Sequence, residues 1–206
     1  MKLSLDQARR RLVDDAGRRF DPSKRAWIAD TTRGDAPVTA REAVVWLQRE
    51  SGAPLREPIG VIGPRAASDS QLSTAETIGA GLARMGLPVI CGGRQGVMEA
   101  AAKGASDAGG ISVGLLPEPD AREANRYLTV AIATGIGEAR NALIARAAFC
   151  LVAIGDSYGT LSEVALGLQF GKRVFGLDGA ARIEGMRHCD NPDEALDRVA
   201  LHVLAL

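Results

Sequence analysis

Cysteine is scarce in this chain: Cys91, Cys150 and Cys189 are far apart, odd in number and show no C-x-x-C spacing. Neither a disulfide framework nor a cysteine-based zinc site is supported. Two of the three lie inside apolar runs, where a cysteine behaves as a small buried hydrophobe. Histidine is rarer still; His188 and His202 stand outside any metal-ligand pattern, and no protein-bound metal is expected. Net charge is absent as well, with 25 basic and 25 acidic residues, so no overall field recruits nucleic acid and none is expected as a partner. No long apolar span follows the charged start Met-Lys-Leu-Ser-Leu-Asp. Neither a signal peptide nor a membrane helix is expected, and the cytoplasm is the default location. Without a Walker-type Gly-Lys-Ser the chain is no P-loop NTPase, and a serine hydrolase is not expected either.

What is present is glycine and small apolar residues: 24 glycines and 46% hydrophobic content in 206 residues, with aromatics at 4%. That profile favours an α/β protein over a β-sandwich. Residues 1–55 differ from the rest, holding both tryptophans and the basic residues Arg9 to Arg11, Arg18, Arg19, Lys24 and Arg25. They read as an N-terminal arm or helical extension. A short helix is expected over Asp6–Ala16, and Thr39-Ala-Arg-Glu42 has capping-box spacing for a second through about Arg49. Because acidic residues are interleaved with the basic ones, the arm is expected to pack on the domain or on a partner subunit rather than on nucleic acid.

From residue 56 to 206 the pattern is strand, turn, helix, repeated. Strands are expected at Ile59–Gly63, Leu87–Cys91, Ile111–Leu116, Tyr127–Ala133, Phe149–Ile154 and Arg173–Leu177. Helices are expected over Ser73–Met85, from the Gly92–Met98 turn to Gly109, over Glu138–Ala147 and Leu161–Phe170, and from Asn191 with proline at its first turn. This alternation predicts a Rossmann-like, doubly wound, mainly parallel sheet with helices on both faces. In such a sheet the turns after the strands open at one edge, where helix N-termini favour anions. Arg140 and Glu163, each near the start of a helix that follows a strand, can then face one crevice.

Three ordered motifs resemble those of a known superfamily: Gly92-Gly-Arg-Gln-Gly-Val-Met-Glu, Glu138-Ala-Arg-Asn141 and Gly159-Thr-Leu-Ser-Glu163. This is the superfamily of the LONELY GUY phosphoribohydrolases, and the closer likeness is to its Rossmann-like branch that includes the molybdenum cofactor carrier proteins. The resemblance spans Ile59 to the C-terminus. It implies a small phosphorylated ligand, a bound nucleotide or molybdopterin-type ligand, and a homo-oligomer, dimer or tetramer. It also implies that Arg140 and Glu163 fall on the two catalytic positions of the hydrolases, which cleave nucleoside 5′-monophosphates to base and ribose 5-phosphate. Two positions depart from the hydrolase pattern: Asn141 replaces a lysine, and Gly155-Asp156-Ser157 stands in place of Pro-Gly-Gly.

The expected ligand-binding residues are Gly63, Gly92, Gly93, Gly96, Asn141, Gly155, Asp156, Ser157, Gly159 and Thr160, with Arg65 and Ser68 as weaker candidates. Each has a plainer alternative. Thr160-x-x-Glu163 has the spacing of a capping box, in which Glu163 serves only its helix. Gly92 and Gly93 either permit a tight turn or let backbone approach a ligand. Arg140 either holds an anionic group or lies on the surface. An acidic Asp156 opposes a bound phosphate unless it points away, meets a ribose hydroxyl or ligates a cation.

Overall fold

A computed structural model describes residues 1–206. The chain divides into two compact units, residues 1–55 with 196–206, and residues 56–195.

In the first unit, residues Leu3–Asp6 (β1), Arg11–Asp14 (β2), Arg18–Asp21 (β3), Ala26–Ala29 (β4) and Ala36–Val38 (β5) form an antiparallel sheet in the order β4-β3-β2-β1-β5. The helix expected over Asp6–Ala16 is therefore a hairpin. Its turn is closed by the Asp6 carboxylate, which accepts from the Arg9 backbone N–H and guanidinium, both at 3.0 Å. Arg10 completes the turn at φ 53°. Antiparallel pairing of β1 with β2, from Leu3 opposite Asp14 to Asp6 opposite Arg11, replaces the expected helix. Helix α1 (Ala40–Arg49) follows as expected, and the Thr39–Glu42 capping box is formed in both directions. The Trp27 indole N–H donates to the Leu204 carbonyl at 2.7 Å, tying the sheet to the C-terminal residues of the same unit.

The second unit carries an all-parallel sheet. Its strands are Ile59–Ile62 (β6), Val89–Cys91 (β7), Ser112–Leu116 (β8), Val130–Ala133 (β9), Leu151–Ile154 (β10), Val174–Leu177 (β11) and Arg187–His188 (β12). They lie in the order β12-β11-β10-β6-β7-β8-β9. Every expected strand is present, and the short edge strand β12 is an addition. Helices α2 (Asp69–Arg84), α3 (Val97–Asp107), α4 (Asn141–Ala147) and α5 (Tyr158–Gln169) are interleaved, with a 3₁₀ turn at Gly137–Arg140 ahead of α4; α6 (Pro192–Val203) follows β12, and its residues from Leu196 belong to the first unit. The strands β6 and β10 are buried at every residue, which explains their unbroken apolar runs. Ile62, Ile90, Leu115, Ile144, Leu151, Val164 and Val174 belong to one core cluster, joining sheet to helices.

Strand order decides where chemistry sits. From β6 the chain steps outward through β7 and β8 to β9, then returns to place β10 on the other side of β6. The switch point lies between β6 and β10, and in open α/β sheets the crevice beyond the carboxyl ends of such strands is the usual ligand site. The return crossover carries the 3₁₀ turn and α4, and α4 packs against α5. No helix is long and apolar enough to cross a membrane.

Candidate functional site

A cleft of ≈ 520 Å³ opens at this switch point. Gly63 and Arg65 come from the loop after β6, Arg94 and Met98 from the turn after β7 and the start of α3, and Glu138, Arg140 and Asn141 from the crossover. Ser157, Tyr158, Gly159, Thr160, Ser162 and Glu163 come from the end of the β10 turn and the first turns of α5. The structure thus brings Arg140 and Glu163 into one cleft, together with Gly63, Asn141, Ser157, Gly159 and Thr160.

Helix α5 starts earlier than the apolar pattern indicates. Ser157 takes an extended conformation, φ −167° and ψ 165°, and its hydroxyl accepts from the Thr160 N–H at 3.1 Å. Ser157 is therefore the N-cap, and the proposed Thr160–Glu163 capping box does not form; the Thr160 hydroxyl instead meets Ser157 Oγ at 2.9 Å. Glu163 lies a turn further along, only 6% exposed. Burial pushes its carboxyl up to about 8; the nearby Arg140 guanidinium pulls down and the Glu138 carboxylate pushes up. At neutral pH Glu163 holds its proton.

The same turn reads Gly155-Asp-Ser-Tyr-Gly159, the Gly-x-Ser-x-Gly spacing of a nucleophile elbow, a coincidence that sequence reading passed over. Its geometry argues against a nucleophile: the serine occupies unstrained extended backbone and is spent on capping, and no histidine lines the cleft.

Arg140 is buried, its side chain 6% exposed. Its Nε has no hydrogen-bond partner, and Nη1 lies 3.6 Å from Glu138 Oε2. The guanidinium lies against Gly92: a Cβ built there would stand 2.7 Å from Arg140 Nη2 and from Met98 Sδ. Gly92 does not line the cleft; its missing side chain makes room for the arginine. Asn141 donates from Nδ2 to Ser162 Oγ at 2.8 Å, linking α4 to α5, while its Oδ1 has no hydrogen-bond partner.

The remaining expected residues also lie outside the cleft lining. Gly93 O accepts from the Asn125 backbone and side-chain amides, which fold the 117–129 loop back onto the turn. Gly96 is the N-cap of α3 at φ 75°, and a Cβ there would come within 2.4 Å of the Arg65 carbonyl, so only glycine fits. Gly155 backs onto the Gln71 amide. Asp156 is exposed and absent from the lining, which removes the conflict between its charge and a bound phosphate. Ser68 caps α2, accepting from the Gln71 N–H at 3.2 Å.

Sequence reading missed Arg94, Met98, Glu138, Tyr158 and Ser162, all of which line the cleft. A signal existed for the charged pair. Arg94 is the one charged residue within the glycine turn after β7, and Glu138 precedes Arg140 by two positions.

The model of the SLOG cluster4 family matches residues 56–200. The chain belongs to the SLOG cluster4 family. A relative of Archaeoglobus fulgidus, an uncharacterized protein, is 41% identical over 139 residues, covering 68% of this chain and 91% of its own. Among solved structures, the molybdenum cofactor binding protein from Rippkaea orientalis is 31% identical, with a TM-score of 0.69 over 72% of this chain and 99% of that one. The molybdenum cofactor carrier protein from Chlamydomonas reinhardtii is 34% identical, with a TM-score of 0.67 over 73% and 100%. The expected likeness to the carrier branch holds, and this SLOG cluster4 chain shares their Rossmann-like fold. The family match begins at residue 56, so the antiparallel sheet of residues 1–55 lies outside it.

Proposed function

We propose that the chain is a binding or carrier protein for a nucleotide or nucleotide-like phosphorylated ligand, held in the cleft between β6 and β10. The observation that carries this reading is Arg140, a buried guanidinium with an unpartnered Nε at the wall of a cleft beside the N-terminus of α5. Both features favour an oxyanion. A neutral Glu163 beside it leaves the arginine's charge unspent and adds a hydrogen-bond donor.

The named ligands of the carrier relatives support a molybdopterin-type molecule as one candidate class. The site fits such a ligand: its ≈ 520 Å³ lies within the roughly 300–1,000 Å³ of small-molecule sites. Arg140 and the α5 N-terminus would take the phosphate, and Asn141, whose Oδ1 has no hydrogen-bond partner, would meet the polar ring edges.

A second reading, a phosphoribohydrolase acting on purine nucleoside 5′-monophosphates, is favoured by the raised Glu163. A carboxyl that keeps its proton at neutral pH can deliver it to a departing base while water adds to the sugar carbon. Incubation with AMP and detection of free base separates the two. Turnover lost in Glu163→Ala overturns the pure carrier reading. A thermal-shift panel of nucleotides and a molybdopterin-type ligand tests binding itself, and a melting temperature that no member raises overturns both.

We further propose a cytoplasmic homo-oligomer, dimer or tetramer. All residues of β9 are exposed although they read Val-Ala-Ile-Ala, and parallel strands are ordinarily covered on both faces.

A further inference from the structure

Arg94 belongs to none of the positions that the motifs assign to a ligand. Its side chain is 19% exposed and is paired with Glu118 from the loop after β8. Across the cleft mouth the Glu138 carboxylate spans two cations: Oε1 lies 3.5 Å from Arg94 Nη1 and Oε2 lies 3.6 Å from Arg140 Nη1. A carboxylate with one oxygen toward each of two guanidinium groups stands where a bound oxyanion would stand. We infer that Arg94 and Arg140 form a two-arginine clamp for the ligand's phosphate, and that Glu138 is a tethered competitor which the phosphate displaces. This inference rests on the reading that the cleft takes a phosphorylated ligand.

Three features support displacement over a permanent ion pair. Glu138 is 68% exposed and its contacts to both arginines are longer than good hydrogen bonds, so solvent takes over the carboxylate readily when it leaves. Arg94 stays anchored by Glu118, which is only 22% exposed, so releasing Glu138 does not release the arginine. Arg140 is held among buried atoms, with donor capacity to spare at Nε. A phosphate dianion offers two charges and three acceptor oxygens to this pair, where Glu138 offers one charge. Because Glu138 is tethered, it competes at the high effective concentration of an intramolecular group. Every anion entering the clamp must displace the same carboxylate, so Glu138 sets how tightly phosphate is held, while the second charge of the dianion gives phosphate its advantage over a free carboxylate.

Isothermal titration of the full chain with inorganic phosphate, and with acetate as the carboxylate probe, tests this. Glu138→Gln is expected to tighten phosphate and acetate binding alike, by about three- to tenfold, leaving the preference for phosphate over acetate unchanged. Such a gain is not what loss of structure produces. Arg94→Ala is expected to weaken phosphate by about tenfold or more, with partial rescue in Arg94→Lys and a smaller gain from Glu138→Gln in its background. If Arg140→Ala loses phosphate while Arg94→Ala and Glu138→Gln bind as the wild type does, the clamp is overturned and the cleft reading stands. If neither the wild type nor Glu138→Gln binds phosphate or any nucleotide, both are overturned.

Discussion

Glu163 lies beside Arg140, and burial sets the response of its carboxyl to pH, whose sign is calculable. Unfolded, Glu163 titrates near 4.5; folded, it is pushed up to about 8 by burial. Between those values the folded chain holds a proton that the unfolded chain has lost. The resulting stability is complete below about pH 4.5 and is lost as pH rises through 8, at about 1.4 kcal/mol per pH unit within the window. Thermal melts from pH 5 to 9 are expected to show this decline in the wild type and a flatter profile in Glu163→Gln. Phosphate affinity is expected to fall above pH 8 in the wild type, when the ionised carboxylate neutralises Arg140; titrations at pH 7 and 9 check this. Gly92→Ala adds a Cβ where the Arg140 guanidinium lies, so phosphate binding is expected to weaken about tenfold without contact between residue 92 and ligand.

Helix α5 shows how an element's starting point assigns roles to its residues. A start near Thr160 would make Glu163 a cap; with Ser157 as N-cap, Glu163 moves into the buried second turn and its carboxyl becomes available to the cleft. Ser157→Ala is expected to cost about 1 kcal/mol of stability in chemical denaturation, while Glu163→Gln at pH 9 is expected to stabilise. Between α2 and α3 the controlling feature is close approach. A Cβ at Gly104 would stand 2.0 Å from the Glu76 carbonyl and one at Gly79 2.1 Å from that of Ala101, so both contacts are with backbone that cannot swing away. Gly104→Ala is expected to destabilise the second unit by about 1–3 kcal/mol, read in the same denaturation assay.

At the scale of the molecule, two units of different construction share one chain. The first builds an antiparallel sheet from short strands joined by Asp-centred turns, including Asp14, whose carboxylate accepts from the backbone and guanidinium of Arg18. The second is a parallel sheet whose edge strand β9 leaves Val130 and Ile132 45% and 44% exposed. Light scattering after size exclusion is expected to report a dimer or tetramer, with Ile132→Lys shifted toward monomer. Elution of the wild type as a strict monomer overturns the oligomer.

The sequence by itself determined the strands and helices of the second unit, because unbroken apolar runs, capping residues and glycine stops act over a few neighbours. It also singled out Arg140 and Glu163 through their place after strands, and the fold brings both to one cleft. The N-terminal hairpin was not legible, since the same Asp and Arg residues suit a helix until Asp6 closes on Arg9. Only the tertiary structure decided which turns share a cleft. That depends on the order β10-β6-β7, which non-local pairing sets and local pattern does not encode. Tertiary structure alone also put the Arg140 guanidinium where a Gly92 side chain would stand, raised the Glu163 carboxyl through burial, and set Glu138 between Arg94 and Arg140. Each of these is a relation between residues distant in sequence, fixed by packing and desolvation.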